Sequence, residues 1–197
     1  MGYYDTGAYP VQFSVDYPDK PLDKFSTFFR IFFLIPIGVV VSIITSAVGL
    51  WQYFALLIMI LFRQKYPRWW FDWYLASLQF GLRFQVYALL MRDEYPATDE
   101  DQAVHLDIAY PDAEQGLNRF MPLVKWIMAF PHWVALIFLL WGVLFVWIFA
   151  WFAILFTGTY PRGAFEFVEG FLRWQSRTVS YALMLVTDQY PPFRLGA

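Results

Sequence analysis

Few side chains in this sequence are equipped for chemistry. It holds no cysteine and only two histidines, His105 and His132. Without thiols, disulfides, thiolate metal sites and cysteine nucleophiles drop out. His105 stands two residues from Asp107, a spacing that could hold a surface metal. With no second histidine nearby, the solvated face of a strand is the plainer account, and no metal is expected. His132 follows Pro131 inside an apolar run, about two helical turns past Lys125. There it is either an axial ligand for haem or another tetrapyrrole, or a partner for a carbonyl freed by the proline. No cofactor is expected, and a tetrapyrrole at His132 stands as the alternative.

The arginines are more suggestive. Arg83 is followed four residues later by Tyr87, and Arg177 by Tyr181. Asp72, Gln79, Arg83 and Tyr87 fall on one helical stripe, as do Glu166, Arg173, Arg177 and Tyr181. An arginine and a tyrosine at a membrane interface can hold a lipid phosphate, or they can make a contact between repeated units. Either way no catalytic residue is assigned. The chain lacks a P-loop, a nucleophile elbow, an HExxH pair and a dinucleotide fingerprint, so a non-enzymatic role is expected.

These residues recur because the sequence repeats. VQFSVDYPDKPLDKF (11–25) returns as VHLDIAYPDAEQGLNRF (104–120), and YPR at 66–68 returns at 160–162. DEYPA (93–97) and DQYPP (188–192) close the two copies. The expected plan is a first repeat over 9–97, an acidic linker over 98–103 and a second repeat over 104–193. Each copy opens on strict alternation of apolar and polar residues, which reads as a half-buried strand ended by proline. Pairing the two strands would satisfy their backbone groups outside a bilayer.

Stretches without acidic or basic residues follow, from Ile31 to Phe62 and from Trp126 to Phe156. About 20 residues make one transmembrane helix. Each run, extended to its flanking aromatics, is therefore expected to form a two-pass hairpin. The turns would fall near Ser46–Gly49 and Trp141–Gly142, with Arg30, Arg63 and Lys125 snorkelling to the headgroups; one long tilted helix per copy is the alternative. Pro36 and Pro131 would be matched breaks in the first pass. Basic residues flank both runs, which places the hairpin bases in the cytoplasm by the positive-inside tendency. The third segment of each copy is expected to lie in the interface as an amphipathic helix. Tyr66, Arg68, Trp69, Trp70, Tyr160 and Arg162 would anchor its corner at the headgroups.

The fold class expected is thus an all-α integral membrane protein. It comprises two tandem copies of strand, transmembrane hairpin and amphipathic interfacial helix, with a small cytoplasmic two-stranded β element. Composition agrees: 59% of residues are hydrophobic, 23% aromatic and only 15% charged, against about 25% charged in soluble domains. A net charge of −2 offers no basic face for nucleic acid. No signal peptide is expected, and Gly2 with Thr6 matches the loose myristoylation pattern.

The motifs YPDKP…F…R..FLIP, the YPR turn with F[DE][WF], and RWQSRTVSYALMLVTDQYPPF together resemble the bacterial membrane family called domain of unknown function 4389. The first copy departs at the ending, QFGLRFQVYALLMRDEYPA, while keeping the arginine and Tyr-Ala-Leu. The resemblance implies a bacterial membrane protein and carries no activity; with the flanking basic residues, the localisation expected is the bacterial inner membrane, multi-pass, with cytoplasmic termini. The functional expectation is a non-catalytic accessory or scaffold subunit of a larger membrane complex. Its partners would be membrane lipids and other membrane-protein subunits, or copies of itself. A carrier or channel for lipid or another hydrophobic molecule is the alternative, and a cofactor-binding subunit through His132 the third reading.

Overall fold

The computed structural model describes residues 9–48 and 50–196, so the amino-terminal Gly2–Thr6 pattern lies outside the described residues. Alternation makes two strands, β1 (Val11–Val15) and β2 (Val104–Ile108), each buried at every second residue. They pair antiparallel, with Phe13 opposite Leu106 at the centre of the register. Those two residues are counterparts in the repeat, so a local two-fold axis runs through the middle of the ladder.

Apolar runs then make long helices. α1 (Lys24–Val48) and α2 (Leu50–Arg63) follow β1, and α3 (Arg68–Ala88) returns. After β2 come α4 (Met121–Met128), α5 (Phe130–Thr157) and α6 (Arg162–Ala182). The chain is therefore mostly helical, with two long apolar stretches and one two-stranded sheet. The stretches Lys24–Arg63 and Met121–Thr157 are long and apolar enough to cross a membrane.

The expected hairpin turn at Trp141–Gly142 does not form. α5 runs through it unbroken for 28 residues, about 42 Å at 1.5 Å per residue. Gly142 is there because of a neighbour: a Cβ on it would come within 3.2 Å of the Phe167 ring on α6. A glycine that admits a close approach reads in sequence like a glycine that turns. In the first copy the expected turn falls at the junction of α1 and α2. Ser46 is helical, and Gly49 lies outside the described residues.

The prolines are not matched breaks either. Pro36 is held inside α1, whereas Pro131 opens α5 just after the Ala129 junction. The Tyr-Pro-Arg corners do match. Pro67 and Pro161 are extended N-caps with ψ of 130° and 129°, so each proline ends one segment and starts α3 or α6 at the following arginine.

Candidate functional site: an interlocked polar clamp

Both strands of a two-stranded sheet are edges, with main-chain groups facing away from the partner. Here the third helices supply the missing partners. On α6, Glu169 Oε1 accepts from Val15 N–H at 3.2 Å and Arg173 Nε donates to Phe13 O at 2.9 Å. Arg177, one turn on, lies 5.9 Å from the ring of Tyr9. α6 therefore runs antiparallel beside β1, a strand from the other half of the sequence. The exchange is reciprocal: Gln79 on α3 donates to Leu106 O of β2 at 3.1 Å.

The ends of the strands repeat the exchange. Tyr17, just past β1, donates its hydroxyl to the carbonyl of Tyr160, and Tyr110, just past β2, donates to the carbonyl of Tyr66. Arg162 lies over the Tyr17 ring and Arg68 over the Tyr110 ring, both at 4.8 Å. Each Tyr-Pro-Arg corner is thus closed by the other half's strand. Tyr66 and Tyr160 are buried at 4% and 2% exposure rather than set out as interfacial anchors. Burial pushes both phenols above their ordinary range, and the Tyr66 hydroxyl donates to Met184 O at 2.7 Å. Trp69 is exposed, Trp70 half-buried, and Arg68 pairs with Asp72 at 3.1 Å in the open.

The Arg-Tyr pairs expected from spacing are not pairs. Arg83 Nη1 donates to Ala97 O at 2.6 Å, fastening the segment between the halves. Tyr87 instead lies under Arg30 of α1, 4.0 Å from guanidinium to ring centre. Arg177 is fully buried and donates to Gly196 O at 3.1 Å. Burial, and then Arg173 and Arg194, hold its pKa below the usual value. Tyr181 is buried 5.3 Å from the ammonium of Lys125.

Arg30 and Lys125 do not snorkel outward. Both turn inward, at 1% and 0% exposure, onto the closing Asp-x-Tyr-Pro of their own halves. Arg30 meets Asp93 at 2.5 Å, and Lys125 meets Asp188 at 2.7 Å. Asp93 and Asp188 also accept from the main chain of Asp23 and Asn118, at 2.7 and 2.6 Å. The two cations of these pairs are, with Arg177, the fully buried charges among the described residues, and spacing within one helix gave no hint of their partners. A signal did exist: both pairs are separated by 63 residues (93 − 30 and 188 − 125) and repeat with the copies.

His132 is fully buried, with Nδ1 accepting from Trp174 Nε1 at 2.9 Å and Phe193 stacked at 3.9 Å. Accepting at Nδ1 fixes the neutral tautomer with its proton on Nε2, and Nε2 has no partner among the described residues. His105 pairs with Asp16 at 3.0 Å, not with Asp107. Among the described residues no three His, Asp or Glu side chains converge as a metal site requires. Chemically, the clamp can hold main chain and carry tension; its charged groups are largely committed to one another and to carbonyls.

Residues 122–194, from α4 to the C-terminal tail, match the family model described as domain of unknown function. That is the family numbered 4389, and the match supports it over the second half. One copy is matched, not two, so the first half is tied to the family only by its internal likeness to the second. No curated protein and no solved structure matches the chain.

Proposed function

We propose that this is a non-catalytic membrane protein, an accessory or scaffold subunit embedded through its two apolar helical stretches. Its first half is read as a diverged second copy of the matched family. One observation carries the membrane reading. Only 12% and 17% of the apolar windows of Lys24–Arg63 and Met121–Thr157 are buried within the fold. A core helix of a soluble protein would be mostly covered. Here Phe32, Ile43, Phe62, Phe138, Phe145 and Phe156 all face outward, a contiguous apolar surface that needs lipid or protein against it.

The layering favours embedding along the membrane plane over crossing it. α5 lies antiparallel to α6, with His132 against Trp174 and Gly142 against Phe167. α6 in turn lies along β1. The outer face of the strands carries Gln12, Ser14, His105 and Asp107, all exposed. Driving the long helices through a bilayer end-on would drag that polar face into hydrocarbon, and α5 alone, 28 residues or about 42 Å, outruns the roughly 30 Å core. The sequence has no cysteine, so single cysteines at Ser14, Trp141 and Lys65 report topology directly. In-plane embedding leaves Ser14 and Lys65 labelled from the same side and Trp141 unlabelled from either. Labelling of Trp141 from the opposite side would establish a crossing.

The scaffold reading is tested by extraction at native abundance in mild detergent. A stoichiometric membrane-protein partner is expected; a clean monomer or homo-oligomer overturns it. A second reading, a carrier for an apolar molecule, is favoured by one feature outside the clamp: an open cleft at the junction of α2 and α3.

A further inference from the structure

Of the three fully buried cations, Arg30 and Lys125 each meet an aspartate, whereas Arg177 meets no carboxylate among the described residues. Its Nη1 donates to the carbonyl of Gly196, while Nε and Nη2 are buried without a partner among those residues. A buried charge left uncompensated is among the costliest features a fold can keep. Arg173 and Arg194 both repel it, and Glu169 is already held by Arg173 at 2.6 Å. Three arginines and one glutamate leave a charge of +2 (3 − 1) at this place.

The partner that Arg177 does have is main chain. The segment from Phe193 to Gly196 lies against α6, where Arg173 Nη1 donates to Leu195 O at 2.9 Å and Arg177 Nη1 to Gly196 O at 3.1 Å. Two guanidiniums one helical turn apart thus grip two successive carbonyls. Leu195 is seated on Gly170, where a Cβ would come within 2.8 Å of the leucine Cβ. Phe193 stacks on His132, but Phe193, Arg194 and Gly196 are all exposed, so solvent lies on the far side of the segment. The first half has no such seat: Ala76 and Gln79 stand at the positions of Gly170 and Arg173.

A guanidinium pairs better with an anion that accepts two parallel bonds than with single carbonyls. We propose that Phe193–Gly196 is a displaceable strap over a phosphate site. A phosphate monoester replaces the carbonyls of Leu195 and Gly196 on Arg173 and Arg177, and the lifted strap uncovers the remaining nitrogens of Arg177. Such a group carries close to two negative charges at neutral pH, which matches the charge of the cluster. A lipid headgroup and a free phosphate share this chemistry. The site goes beyond the scaffold and carrier readings and depends on neither.

The test uses the whole chain in detergent micelles and titration calorimetry. Inorganic phosphate and short-chain phosphatidic acid are the probes, and short-chain phosphatidylcholine, a diester, is the control. Saturable binding of at least one probe is expected, and none of the control. Phosphatidic acid tighter by about tenfold or more assigns a lipid headgroup, and a smaller gap assigns free phosphate. Gly170→Ala installs the residue of the first half and displaces Leu195. It should tighten binding several-fold, because strap closure no longer competes; an arginine with a purely structural role predicts no gain. Arg177→Gln should weaken binding by about tenfold or more. The proposal is overturned if neither probe saturates, if the control binds equally, if Gly170→Ala binds no tighter, or if Arg177→Gln binds at full strength. Should Arg177→Gln fail to fold, Gly170→Ala still decides.

Discussion

The hydroxyl of Tyr17 donates to the carbonyl of Tyr160 across 143 residues of sequence, and Tyr110 does the same for Tyr66. Each tyrosine ends a strand from one half and closes the Tyr-Pro-Arg corner of the other. Tyr17→Phe and Tyr110→Phe keep the ring under its arginine and remove only the donor. Each should lower stability by about 1–3 kcal/mol, because a carbonyl loses its partner. The two losses should be close to equal and should add, as for separated sites. Thermal melts in one detergent check both points.

Removing one partner from a buried ion pair strands the other charge. Arg30 and Lys125 have almost no exposed side-chain surface, while Asp93 and Asp188 keep 30% and 23%. Asp93→Ala and Asp188→Ala should each cost about 3–5 kcal/mol. Arg30→Met, which removes the buried cation itself, should cost less than Asp93→Ala. Denaturant unfolding in micelles gives the comparison, and the reverse ranking would show that Arg30 is not electrostatically stranded.

The segment joining the halves is tied by Glu94. Burial alone would raise its pKa, but hydrogen bonds from Arg92 and from the N–H of Ala103 outweigh it, and the net shift is downward. A carboxyl lowered on folding stabilises fully above the ordinary glutamate range and loses that contribution as pH falls through its folded value. The protection factor of the Ala103 amide, relative to its intrinsic exchange at each pH, should therefore fall on acidification. Glu94→Gln should show lower protection at neutral pH already and respond less to acid.

Because the strands are exchanged, neither half is complete alone. Residues 1–97 and 98–197 made as separate chains should each be protease-sensitive, and should co-purify as a protected pair when made together. Independent folding of either half would show that the exchange is dispensable.

Much of this layout is legible in the residues. Alternation located both strands, and their unpaired backbone groups implied that they pair; the antiparallel register centred on Phe13 and Leu106 was not legible. Length and apolarity located the two long helical stretches. What stayed hidden involves main chain. The stripe from Gln79 to Arg83 and its counterpart from Arg173 to Arg177 read as fit for a headgroup or for a contact between repeats, since side-chain spacing cannot reveal a strand-edge carbonyl waiting beside it. Gly142 misled for a related reason: its neighbour Phe167 lies on another helix. Arg30 and Lys125 read as snorkelling because their acids lie 63 residues away.

The exchange also imposes an order in time. β1 leaves the ribosome early, but its flanking partner α6 ends at Ala182, 167 residues after Val15 (182 − 15). At about 5–20 residues per second that is a wait on the order of ten seconds. Through that interval the first half presents a bare strand edge and an apolar helix together. The nascent chain should therefore depend on prompt delivery to lipid, or on a holding factor, more than its small size would suggest.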